Sequence, residues 1–446
     1  MEHRIDRRRF LAGSTVAGTG LAAATRLVAQ SASDKPALLG GQPVRRADFP
    51  KWPVFDESEE RQLAEAVRGG NWGRSGGQAI RQFEESFGRV MGTRFCLATS
   101  SGTGALLSSL AAVGVEPGDE VILPPYTFIA CVNVVLQRGA MPVFADVDPE
   151  TFQIDPERVR AAITERTRAI MPVHIGGSLV DMDSLREVAT RRQIPIVEDA
   201  CQAHLAEWRG RKAGTLGQIG CFSFQASKNL TSGEGGAIVV DDEQLWERCF
   251  AFHYQGVRPR SARQPATELP AGCKFTITEF QAAVLLAQLA RLENQAQRRS
   301  ENAEYLTNLL QQIPGILPAR MYDGCTRNAY HLYMFRYQPE AFADLPRSLF
   351  LKALSAEGIP ASSGYSPLNK QPIIDSTLRS RGFRRLFPED QIEQWVERNR
   401  CPRNDALCDQ AVWFSQRLLL ADRQDMEQIA AAVRKIQQHA GALKRA

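Results

Sequence analysis

The feature that most constrains this chain is a repeated alternation of short apolar runs with amphipathic stretches. Strand-like runs occupy Phe95 to Ala98, Glu120 to Leu123, Met141 to Phe144, Ala169 to Val173, Ile194 to Val197, Cys221 to Phe224 and Ala237 to Val240. Helical patterns fill most of the gaps: Gly104–Val113, Phe128–Gln137, Pro156–Ile163 and Met182–Arg192. Runs this short and apolar suit strands buried on both faces, and intervening helices supply the crossovers that parallel strands need. The pattern predicts an α/β fold, with a three-layer α/β/α domain around a mostly parallel sheet.

Upstream, Asp56 to Gly70 reads as a helix, with acidic residues crowding its first turn and Gly69-Gly70 stopping it. Ala79 to Val90 reads as a second. Downstream, Thr278 to Arg298 is a long helical pattern suited to joining two domains. The remainder, with strand-like Leu332–Tyr337 among helices, reads as a smaller C-terminal α+β domain. The 446 residues suffice for two or three domains.

The formal net charge is +4, and much of the basic excess sits at the two ends. No dense basic patch is interleaved with aromatics, which argues against a nucleic-acid partner. The nine cysteines are scattered without CxxC or Cys/His spacing. That pattern predicts neither a metal site nor a disulfide framework, but buried free thiols.

The N-terminus reads Asp6-Arg7-Arg8-Arg9-Phe10-Leu11, then a small-residue apolar run to Ala24, then Leu27 to Ser33, rich in small residues. Residues 1 to about 33 resemble a bacterial twin-arginine signal, and they predict export to the periplasm of a protein that folds first. The apolar run is too short and too rich in glycine and alanine for a membrane span. The alternatives are a basic leader on a cytoplasmic protein, or an uncleaved membrane anchor.

Three segments carry the chemistry. In Ser100-Ser101-Gly102-Thr103-Gly104-Ala105-Leu106, a strand turns into a helix; Gly102 permits close backbone approach, and the first N–H groups with the Thr103 hydroxyl can hold a phosphate. In Val197-Glu198-Asp199-Ala200-Cys201-Gln202-Ala203, an acidic residue ends a buried strand, where α/β sheets bind ligands. Phe222-Ser223-Phe224-Gln225-Ala226-Ser227-Lys228 ends a strand in a serine suited to a phosphate and places a lysine five residues later, before a glycine-rich turn. A lysine among small and apolar residues is partly desolvated and forms imines readily. The three together fit pyridoxal 5'-phosphate (PLP). Asp199 would pair with the pyridine nitrogen and Gln202 would bond the ring 3-oxygen, with Glu198 facing the other way along the pleat. Taken singly, Asp199 reads as a helix N-cap and Lys228 as a solvated surface charge; the combination argues otherwise.

From about Leu38 onward the chain resembles the DegT/DnrJ/EryC1/StrS sugar aminotransferases, a branch of the fold-type I PLP enzymes. The motifs SGTGAL, GDEVILPPYTF, VFADVDPETFQID, VEDACQAH and FSFQASKNLTSGEGG carry the likeness, in that order. The LLGGQPVR start and the late AVWFSQRLLL point to the subgroup that aminates keto-cyclitols such as scyllo-inosose. The resemblance implies Lys228 as Schiff-base lysine and acid–base catalyst, Asp199 on the pyridinium nitrogen and Gln202 on the 3-oxygen. It implies Phe128 stacked on the ring, and Gly102, Thr103 and Ser223 on the phosphate. It implies a PLP-binding large domain over residues 76–290, preceded by an arm and helix over 34–75 and followed by a small domain over 291–446. It also implies a homodimer in which each subunit completes the other's site. Expected substrate-facing positions are His174 and Gly176, after a strand, and Tyr330 and His331, which open a small-domain strand. His174 is equally an interior histidine. The sequence departs from the family where Lys274 replaces an asparagine that reaches the neighbouring subunit's phosphate, where Thr276 replaces an arginine, and where Gln225 replaces a histidine. Lys274 could make the phosphate contact with a stronger charge, or the contact in trans could be lost and the activity altered.

The expected reaction is amino transfer from glutamate or glutamine to a keto-sugar or keto-cyclitol by a ping-pong mechanism. The alternatives are a PLP-dependent lyase or dehydratase, and an exported non-catalytic PLP- or sugar-binding protein.

Overall fold

The computed structural model describes residues 35–259, 262 and 266–446. The expected export segment lies outside them.

The large domain is built on β1 (Phe95–Thr99), β2 (Glu120–Leu123), β3 (Met141–Phe144), β4 (Thr167–Ile170) and β5 (Val197–Asp199). A hairpin of β6 (Glu207–Trp208) and β7 (Arg211–Lys212) sits off the sheet, which continues with β8 (Ile219–Ser223) and β9 (Gly236–Val240). Lateral order is β3-β2-β4-β5-β8-β9-β1, with β4 joined to β5 through the bridges Ile170–Ile196 and Val173–Asp199. Every pairing is parallel except those of β9, which runs against both neighbours. The mostly parallel α/β sheet expected from the alternation is therefore present.

Two strand ends differ from the sequence reading, and proline explains both. The run from Ala169 is a regular strand only to Ile170, because Pro172 has no N–H for the ladder. Pro195 likewise delays β5, which then extends to Asp199. Asp199 N–H donates to Pro172 O at 2.9 Å and Asp199 O accepts from His174 N at 3.0 Å. This pairing carries the strand to the residue that matters.

The helix Gly102–Ala112 is buried along nearly its whole length and packs on β8 and β9. The long helix runs from Glu279 to Leu310, well past Arg298. Thr278 and Gln281 form its capping box. Its extra turns place Ala303, Leu306 and Leu310 in a second core, around the antiparallel β10 (Ile316–Pro318), β12 (Leu332–Tyr337) and β13 (Ala411–Ser415); between them β11 (Cys325–Arg327) pairs with β6. The N-terminal arm joins this second core through Phe49, and Ala37 and Val44 donate backbone N–H groups to the buried Glu357 carboxylate at 2.7 and 2.8 Å.

Residues 372–410 form four helices that pack on the large domain instead. They cover the edge strand β3: Trp395 Nε1 donates to Pro142 O at 2.8 Å, and Asn399 Oδ1 accepts from Phe144 N at 2.6 Å. A parallel edge strand left bare would template association, so these contacts close the sheet.

Candidate active site

A cavity of about 460 Å³ opens at the C-terminal ends of the parallel strands. Its lining joins residues far apart in sequence: Ser101, Gly102 and Thr103 from the β1 turn, Phe128 and Cys131, Asp199 and Gln202 after β5, Ser223 to Lys228 after β8, and His331 and Tyr365 from beyond the long helix.

Each side chain is held for a local reason. Ser101 caps the helix, its Oγ accepting from Gly104 N at 3.0 Å, so the helix start points into the cavity. A Cβ on Gly102 would lie 2.8 Å from Ser223 Cβ and 2.9 Å from Cys201 Sγ. Only glycine lets the helix start and the β8 end converge on one phosphate-sized spot. Asp199 is buried, with Oδ1 accepting from Cys201 N at 3.0 Å and Oδ2 from the Cys131 thiol at 2.9 Å. Gln202 Oε1 accepts from Gly176 N at 2.8 Å, and Nε2 donates to Tyr365 Oη at 2.9 Å, leaving Nε2 a second N–H to offer.

Burial pushes the Lys228 amine below its ordinary value, against the opposing pull of Cys201, Asp199 and Cys131. That direction favours the neutral amine that an imine needs, and Asp199 is among the groups whose charge reaches Lys228. Burial, then the Lys228 charge, hold His331 well below the ordinary histidine value. It is therefore a neutral ring. Asn229 Nδ2 donates to Ala329 O at 2.7 Å, which turns Asn229 Oδ1 toward His331 Nδ1 at 3.3 Å. That contact places the proton on Nδ1 and leaves Nε2 as an acceptor.

Glu198 faces the other way, as the pleat requires. It accepts from Gly214 N, Leu216 N and Gly217 N at 2.8, 2.6 and 2.5 Å and pairs with His174 Nε2 at 2.9 Å. The substrate-facing expectation for His174 is thereby corrected: it is fully buried, locked between Glu198 and Val180 N, and does not line the cavity. Gly176 (φ +68°) orients Gln202 rather than facing a substrate. Tyr330 is corrected too. Its left-handed backbone (φ +49°) turns it into a separate groove beside the long helix. His331 alone of these reaches the cavity. Lys274 lies outside the cavity of its own subunit, exposed, with its ammonium 4.2 Å from the centre of the Tyr254 ring.

A phosphate cradle, a buried carboxylate, a desolvated lysine and an exposed aromatic (Phe128, 58% exposed) meet in one cavity. The family model for "DegT/DnrJ/EryC1/StrS aminotransferase family" matches residues 55–385. The chain belongs to this aminotransferase family. It is 37% identical over 388 residues to 3-amino-5-hydroxybenzoate synthase of Amycolatopsis mediterranei, spanning 86% of this chain and 96% of that one. It is 38% identical over 426 residues to L-glutamine:2-deoxy-scyllo-inosose aminotransferase of Streptomyces kanamyceticus, spanning 92% and 99%. The crystal structure of 3-amino-5-hydroxybenzoic acid synthase superposes with a TM-score of 0.78 at 35% identity, covering 90% of this chain and all of that one. Like its relatives it is a fold-type I PLP enzyme, and the residues present fit the cofactor. Gly102, Thr103 and Ser223 would hold the phosphate, Asp199 the ring nitrogen, Gln202 the 3-oxygen, Phe128 a ring face and Lys228 the carbonyl carbon.

Sequence reading missed Tyr365, Cys131 and Cys201 as cavity residues. The serine-proline-rich loop that carries Tyr365 has no strand or turn punctuation pointing at the sheet. The two cysteines read as ordinary core thiols, although Cys131 lies three residues after Phe128 and Cys201 two after Asp199, a spacing that would have indicated them.

Proposed function

We propose that this aminotransferase moves the amino group of glutamine, or of glutamate, onto the ketone of a keto-cyclitol or related keto-sugar. The observation that carries the reading is the convergence of Asp199 and Lys228 on one cavity. PLP supplies an electron sink when bound. Asp199, its two oxygens held by Cys201 N and the Cys131 thiol, would face the ring nitrogen and pair with the proton there. Lys228 Nζ, whose amine burial pushes below its ordinary value, would take a proton from the donor's α-carbon and deliver it on the same face, and then do the reverse for the acceptor. His331 Nε2 and the Tyr365 hydroxyl offer an acceptor and a donor to a polyol. Such a wall suits several hydroxyls on a six-membered ring, and several of the similar proteins are named for inosose substrates.

The homodimer is part of the proposal. Phe128 and Lys274 are both exposed on the isolated subunit, and a partner would bring its Lys274 to the phosphate. Export is a further part: the twin-arginine-like segment would direct the folded, loaded protein to the periplasm. Fusing residues 1–33 to a folded reporter tests it, with retention expected when Arg7→Lys and Arg8→Lys are combined.

The central test uses purified holoprotein. L-Glutamine or L-glutamate should convert the cofactor's absorbance to that of its amino form, and 2-deoxy-scyllo-inosose or scyllo-inosose should restore it. If no amino acid alters the spectrum, the transferase reading fails and a lyase becomes the better account.

A further inference from the structure

The Asp199 carboxylate has an unusual partner. Cys131 is buried, lines the cavity, and its Sγ lies 2.9 Å from Asp199 Oδ2. The second carboxylate oxygen accepts from Cys201 N at 3.0 Å. Thr127 Oγ1 sits 3.3 Å from the same sulfur. Since a carboxylate only accepts, the thiol proton must point at Asp199 and the Thr127 hydroxyl must donate to sulfur. Burial and the Asp199 charge push the Cys131 thiol well above its ordinary value, so it stays protonated and serves as donor rather than nucleophile.

We infer that Cys131 is a positioning residue for Asp199: its S–H, steadied by Thr127, fixes the carboxylate's rotation so that it meets the ring nitrogen. The inference rests on the PLP reading above. The carboxylate torsion of an aspartate is broad and roughly two-fold, so one backbone N–H alone does not define it. Two donors on different oxygens do. A thiol is also a weak donor, which leaves Oδ2 most of its negative charge for the pyridinium.

The test compares Cys131→Ala with Cys131→Ser in the holoprotein. A protonated ring nitrogen lowers the pH midpoint of the lysine-bound cofactor's absorbance, because a nearby positive charge disfavours a second one. Loosening Asp199 should therefore raise that midpoint. In Cys131→Ala the midpoint should rise and PLP should dissociate about tenfold faster, the loss expected of one hydrogen bond to a charged group. Cys131→Ser, which keeps a donor of similar reach, should restore both. Melting of the apoproteins separates positioning from packing: the variants should melt alike without PLP. If alanine and serine variants both match the parent, or both fail equally, the inference is wrong. Failure of the PLP reading looks different, since then the parent protein itself would show no cofactor absorbance.

Discussion

Glu198 and Asp199 are adjacent in the chain and serve opposite sides of the sheet, one anchoring the fold and the other facing the cavity. The buried Glu198 gathers three backbone N–H groups and the buried His174. Glu198→Gln places an amide N–H against some of these donors and should cost about 1–3 kcal/mol in stability, the desolvation of buried donors left without an acceptor. Asp199→Asn should leave stability near the parent's while abolishing the glutamine-driven spectral change. Urea denaturation and the half-reaction, measured on both variants, check the division.

Lys228 offers a test of its own electrostatics. Its folded value lies below 10.5, so the unfolded chain binds the proton more tightly and apoprotein stability rises with pH up to that value. Lys228→Met should therefore melt higher than the parent apoprotein at neutral pH. The gap should narrow as pH approaches 10.5. Borohydride should fix PLP to the parent and not to the variant.

Much of this site was legible because its parts sit at strand ends, where apolar runs break into small residues and turns. Gly102, Asp199, Ser223 and Lys228 each follow an apolar run, and the sheet brings such ends together. Strand limits were less legible, since Pro172 and Pro195 act through the ladder partner and not through composition. His174 and Tyr330 illustrate a deeper limit. Each follows or opens a strand, yet a buried glutamate claims the first and a left-handed backbone angle turns the second away. Tyr365 enters from a loop pinned by Ser362 to Trp413 and by Leu368 N to Pro125 O, partners distant in sequence that no local pattern encodes.

Acid should weaken the fold through its buried histidines. His204 and His253 are both held down to about 3, chiefly by burial and then by Lys228 and Arg74 respectively. Folded values below the ordinary 6.5 mean that the unfolded chain takes up protons first, so stability is full above 6.5 and falls as pH drops toward 3. His204 packs against Phe222 and Phe224, with ring centroids 5.6 and 5.9 Å away. His204→Leu should flatten the pH dependence of the urea midpoint over this window. An unchanged slope would show that other groups carry the acid sensitivity.

The proposed homodimer yields the sharpest prediction. Lys274 is exposed, steered by the Tyr254 ring, whose hydroxyl lies 3.1 Å from Ser75 Oγ. If it contacts the phosphate of the neighbouring subunit, Lys274→Ala should weaken cofactor retention without touching its own cavity. A dimer pairing Lys274→Ala with Lys228→Ala then contains one intact site: the Lys228 of the first subunit, completed by the Lys274 of the second. Each variant alone should be weak or inactive. Unfolding and refolding the two together should recover activity, approaching about one quarter of the parent's when half the dimers are mixed and each mixed dimer carries one working site of two. Recovery requires that the contact be made in trans. Activity that stays at the average of the two separate variants would place Lys274 outside the cofactor site.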